Sequence, residues 1–100
     1  MSIAGGGRPE VEYAGRMSDG QGLTFGRFQR LIRDRYFATD SARGTPGTFM
    51  WLIEEVGELA TALQDCAPGK AATEAQRANL EEEFADVIAW LTTLANVNGV

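Results

Sequence analysis

From Thr24 onward apolar residues recur every three or four positions, and no stretch keeps the alternation that a half-buried strand requires. The chain is therefore predicted to be all-α. Phe25, Phe28, Leu31, Ile32 and Tyr36 share one helical face behind Thr24 as N-cap, which predicts a helix over residues 24–38. Ser41-Ala42-Arg43-Gly44 breaks the pattern, and Thr45-Pro46 offers a cap followed by proline at the first helical position, so a second helix is expected over 46–65. Cys66-Ala67-Pro68-Gly69-Lys70 reads as a loop. Thr73 with Gln76 three residues on is a capping-box pattern, and Asn98-Gly99 is a stop, which places a third helix over about 73–97. Residues 1–22 hold six glycines and no sustained period, so they read as a flexible leader to one helical domain over 23–100. Short connections make the three helices antiparallel neighbours in a small bundle.

Composition removes several chemistries. The 100 residues include no histidine, which excludes Ser-His-Asp and Cys-His nucleophile systems, His-ligated zinc and Glu-x-x-His di-iron sites. A lone Cys66 cannot form an intrachain disulfide, which points to a reducing, cytoplasmic setting. No window approaches the ~20 apolar residues of a membrane span. The net charge of −5 is unevenly divided. Residues 1–50 carry seven Arg against five acids, whereas residues 51–100 carry only Lys70 and Arg77 against nine acids. An anionic half of that kind does not bind a nucleic-acid polymer by itself, because backbone contacts need an excess of Lys and Arg. Its charge calls for metal cations or for the basic first half.

Helical wheels locate the charge. Over 46–65, Phe49, Leu52, Ile53, Val56, Leu59, Ala60 and Leu63 form one stripe, read as core, while Trp51, Glu54, Glu55 and Glu58 fall together on another face. In the third helix Leu80, Phe84, Val87, Ile88, Leu91, Leu94 and Ala95 form the corresponding stripe, with Glu83, Asp86 and Trp90 beside it. If the two helices pack antiparallel through these stripes, five carboxylates face one another across a groove. Like charges at such spacing oppose helix formation by a few tenths of a kcal/mol per pair. Divalent cations with a taste for oxygen ligands would offset the repulsion, magnesium first among them, whereas the bland reading is two solvated acidic faces.

These residues resemble a known family. Glu54-Glu55-Val56-Gly57-Glu58 fits E-E-x-x-E, and Glu83-Phe84-Ala85-Asp86 fits E-x-x-D after 24 intervening residues, the paired signature of the MazG-like nucleoside triphosphate pyrophosphohydrolases. The wider phrases from Trp51 to Ala60 and from Asn79 to Leu91 are similar too, and the likeness runs from about Leu23 to Val100. The resemblance implies an all-α bundle completed by assembly into a homodimer or homotetramer. It also implies Mg²⁺-dependent hydrolysis of (d)NTPs to monophosphate and pyrophosphate, with Mn²⁺ as a substitute metal, in the service of nucleotide-pool house-cleaning. By motif position Glu54, Glu55, Glu58, Glu83 and Asp86 become the metal and catalytic acids. Relatives commonly continue into a further helix past the position of Val100, so that helix is missing here or supplied by a partner subunit.

For such a reaction Glu54 or Glu55 is the candidate general base, and spacing does not separate them. Phosphate oxygens need cationic donors, for which Lys70, Arg77 and Arg30 (or Arg27) are candidates. Trp51 and Trp90 are candidates to stack on a nucleobase, Phe25 is expected to pack in the core instead, and Gln29 is a candidate hydrogen-bonding partner of base or sugar. Two other classes stay open: a non-catalytic interaction module using the Trp51 and Trp90 faces, and a carboxylate metal buffer. An EF-hand is disfavoured by the absence of its loop pattern.

Overall fold

The computed structural model describes residues 22–100, so the expected leader lies, apart from Gly22, outside the described residues. Among them are two helices, α1 (Phe25–Asp65) and α2 (Glu74–Val97), and no strand. The Thr24 hydroxyl accepts the Arg27 amide at 3.1 Å and caps α1 as expected. The two helices expected over 24–38 and 46–65 are arms of one 41-residue element that stays helical through Ser41-Ala42-Arg43 and bends at Gly44. Gly44 alone interrupts it, at φ 76° and ψ 179°, a region essentially confined to glycine. That break also accommodates Pro46, whose missing N–H falls in the first turn of the second arm. The start of α2 is a full capping box: Gln76 N donates to Thr73 Oγ1 at 3.0 Å, and Thr73 N donates to Gln76 Oε1 at 2.9 Å.

The second arm of α1 runs antiparallel to α2. Cys66 Sγ donates to the Gln76 carbonyl at one end, and the Thr45 hydroxyl donates to Asn98 Oδ1 at the other. Between them the rings of Trp51 and Trp90 stack with centroids 6.0 Å apart. The first arm folds back onto α2, where Phe28 and Ile32 bury against Ala89 with Leu31 and Tyr36 alongside. Its Gln29 donates to the Val100 carbonyl at 2.7 Å, and Asn96 donates to the Gln29 carbonyl at 3.2 Å.

The expected core stripes are corrected by this packing. The second arm buries Thr48, Leu52, Glu55 and Ala62, and α2 buries Glu83, Asp86, Ala89, Trp90, Thr93 and Asn96. Phe49, Ile53, Val56, Leu63, Phe84, Ile88 and Leu91 are exposed instead, and of the two stripes Leu52 alone is buried. The two helices meet through their acid-bearing faces, and the apolar stripe of each lies one residue later, a rotation of about 100°. In an antiparallel pair that rotation carries both stripes to the same side. Phe25, expected in the core, is 82% exposed. Among the described residues no helix is long and apolar enough to cross a membrane.

Candidate active site

The face between the two helices carries the carboxylates inward. Glu55 and Glu58 stand three residues apart on α1, as Glu83 and Asp86 do on α2, so each helix presents both of its acids to the same seam. One carboxylate oxygen from each of Glu55, Glu58 and Glu83 lies within 4.8 Å of the others. Asp86 completes the group electrostatically, its charge acting on Glu55. Glu55, Glu83 and Asp86 are all buried, and Glu58 is half-buried.

Burial without countercharge raises the proton affinity of these groups. Desolvation, followed by the charges of Glu58, Asp86 and Glu83, pushes Glu55 from the ordinary carboxylate range up to about 8. Desolvation and the charges of Glu58 and Asp86 lift Glu83 to about 7. Desolvation and the charge of Glu82 lift Asp86 to about 6, against a hydrogen shared with Glu55 that works the other way. Glu83 Oε1 and both oxygens of Asp86 are buried with no donor group in reach, so protons shared within the cluster are the hydrogen bonds open to them. The three carboxylates whose oxygens gather within 4.8 Å, with Asp86 beside them, could hold a divalent cation that takes oxygen ligands.

Glu54 stands apart from this cluster. It is exposed and lines a cleft of about 260 Å³ together with Gly47, Met50 and Trp51. Trp51 thus borders the cleft on one hand and stacks on Trp90 on the other. Lys70 in the connector, Arg77 near the start of α2 and Arg30 on the first arm are all exposed, and none of the three makes an ion pair among the described residues. Gln29 is half-buried and commits its side-chain amide to the Val100 carbonyl, which anchors the C-terminal end of the chain.

The wheel reading missed Arg43 and its partners. Arg43 Nη2 pairs with Asp40 Oδ1 at 3.1 Å, Nη1 donates to Thr48 Oγ1 at 3.4 Å, and the guanidinium lies 4.9 Å from the centre of the Trp90 ring. Arg43 therefore clasps the outer end of the acid seam, with Asp40 and Thr48 fully buried beneath it. Gly47 makes room for it, since a Cβ there would stand 2.8 Å from Arg43 Cγ. The available signal was the i, i+3 spacing of Asp40 and Arg43, which a segment read as a helix break concealed.

No curated protein and no solved structure matches the chain. The family model of the MazG nucleotide pyrophosphohydrolase domain matches residues 45–99, which span the second arm of α1, the connector and α2 and so include both carboxylate pairs. The chain belongs to the MazG family.

Proposed function

We propose that this protein hydrolyses a nucleoside or deoxynucleoside triphosphate to the monophosphate and pyrophosphate, with Mg²⁺ as its metal and Mn²⁺ as a substitute, and so clears unwanted nucleotides from the pool. The observation that carries the reading is the convergence of Glu55, Glu58 and Glu83, with Asp86 beside them, in one buried cluster within the family-matched segment. These four acids would hold the cation, which supplies positive charge against the triphosphate and makes nearby water more acidic. In the reaction water oxygen bonds to phosphorus, the anhydride bond breaks, and the bridging oxygen leaves with pyrophosphate.

The protein's own part is proton handling and placement. Of the two base candidates Glu55 is the favoured one, because it stands in the acid cluster whereas Glu54 does not. Glu54 is exposed in the cleft, outside the cluster. Arg30, Lys70 and Arg77 remain the candidate phosphate donors. Their long exposed side chains are free to swing toward an incoming triphosphate. The apolar side left uncovered by α1 and α2 is the surface through which a homodimer or homotetramer would form.

A panel of all common NTPs and dNTPs, assayed with Mg²⁺ and with separate detection of pyrophosphate and orthophosphate, tests this function. Pyrophosphate release that disappears in Asp86→Asn is the expected result. Orthophosphate as the sole product, or undiminished turnover in that variant, would overturn it.

A further inference from the structure

Three contacts fix how the second arm of α1 lies against α2: Thr45 with Asn98, the Trp51 ring with the Trp90 ring, and Cys66 with Gln76. In an antiparallel pair that register orders everything between them. One turn inward from the tryptophans, about 6 Å along each helix axis, Glu55 comes opposite Asp86, and the hydrogen these two share across the seam agrees with that pairing. One turn outward, Thr48 comes opposite Thr93, both fully buried. The Trp51 and Trp90 stack is therefore the rung next to the carboxylates. Arg43 holds that rung from outside, with its guanidinium 4.9 Å from the centre of the Trp90 ring and Nη1 donating to Thr48 Oγ1 at 3.4 Å. Asp40, 1% exposed on the first arm, pairs with Nη2 at 3.1 Å. One side chain thus joins the first arm, the second arm and α2.

Resting on the cation reading above, we propose that Arg43 is a positioning residue: by clamping the Trp51 and Trp90 rung it sets the distance between Glu55 and Asp86, and with it the spacing of the oxygens that would hold a divalent cation. Helices fixed at one rung are fixed at the next, because a single turn is stiff and packed interiors yield little. The acids do not set that distance themselves. Once ionised they repel one another across the seam, so a clamp on the adjoining rung has to keep them at ligand spacing. A planar guanidinium suits the task, since its edge pairs with a carboxylate and a hydroxyl while its face lies on a ring, which an ammonium cannot do. Gly47 keeps the path open, because a Cβ there would stand 2.8 Å from Arg43 Cγ, closer than carbon atoms pack. Arg43 touches neither cation nor substrate in this role.

The test uses two variants of unchanged net charge, Arg43→Lys and Gly47→Ala, the second of which displaces Arg43 by its added methyl group. Ile32→Val, which loosens the packing of the first arm against Ala89 without touching the clamp, is the control. Trp51 and Trp90 are the chain's only tryptophans, so circular dichroism of the indole bands reads their stack, while calorimetric titration of the intact protein with Mg²⁺ alone reads the cluster. Both variants are expected to lose the indole exciton signal and to bind Mg²⁺ at least about tenfold more weakly than the wild type, as when an outer support of metal ligands is removed, and the control keeps both. A smaller loss in a folded variant, a loss with the exciton signal intact, or an equal loss in Ile32→Val would overturn the proposal. If one variant does not fold the other decides, and if neither folds the role is structural alone and the proposal falls. A wild type that binds no Mg²⁺ overturns the cation reading and the proposal together, whereas binding that survives both substitutions removes the proposal alone.

Discussion

Asp86 has both carboxylate oxygens buried without a donor, beside three other acids, so in the absence of cation it is a source of strain in the fold. Asp86→Asn keeps the shape and removes the charge. The metal-free variant is expected to melt at or above the wild-type temperature, while activity falls by two orders of magnitude or more, since a cluster that has lost one ligand misplaces its cation. Calorimetry and pyrophosphate release check the two halves separately. The pH dependence has a definite sign. Glu55, Glu83 and Asp86 have folded-state affinities raised to about 8, 7 and 6, above those of unfolded carboxylates, so the folded state holds more protons through the window from about 4 to 8. Stability of the metal-free protein should therefore fall as pH rises through that window, and the gain from Mg²⁺ should grow over the same range because cations bind the deprotonated cluster. Melting temperatures with EDTA and with Mg²⁺ at pH 5, 6.5 and 8 test this, and a metal-free protein more stable at pH 8 than at pH 5 would refute it. The acids were legible because both pairs repeat at i, i+3 on predicted helices. Arg43 was not, since its role depends on a ring 47 positions away that only the folded packing brings over it.

At the scale of elements, the caps of α2 were readable because they are local: Thr73 and Gln76 satisfy each other's backbone whatever the rest of the chain does. The bend in α1 was only half readable. Glycine and proline marked the place, but the helix persists through Arg43 because the Asp40 and Arg43 pair, set against Thr48 and Trp90, ties the two arms together. Gly44→Ala places a Cβ on a backbone at φ 76° and ψ 179°, which costs about 1–3 kcal/mol. Relief by straightening α1 would pull Phe28 and Ile32 off Ala89, so the variant is expected to lose stability either way. Chemical denaturation measures the loss, and an unchanged midpoint would show that the bend carries no strain for other residues. The wheels assigned phase correctly and burial wrongly. Periodicity says which residues share a face, yet it does not say which face meets the neighbouring helix, and here the seam took the acids with Thr48, Leu52 and Trp90.

The whole molecule is lopsided. One side of the α1 and α2 pair is covered by the first arm through Phe28, Ile32 and Ala89. The opposite side presents Phe49, Ile53, Val56, Leu63, Phe84, Ile88 and Leu91, each 42–56% exposed. Both stripes fall on that one side because the helices are antiparallel, so the seven side chains adjoin rather than scatter. Seven half-exposed apolar side chains on one side of a small domain are the kind of surface that a partner usually covers. Two copies related by a two-fold axis can lay these stripes against each other, making a four-helix core in which every contact occurs twice. Such a dimer would also cover the outer flanks of the helices that hold Glu55 and Glu83 and so stiffen the seam between them. The wild type is expected to be a dimer or larger at micromolar concentration, with a melting temperature that rises with protein concentration. Ile53→Glu places a charge at the centre of the patch and should yield a monomer that melts lower, while Arg30→Glu, exposed on the first arm, should leave assembly intact. Light scattering on the three proteins decides the matter: a wild type that is already monomeric with a sharp, concentration-independent melt would mean that these seven residues do not serve self-association.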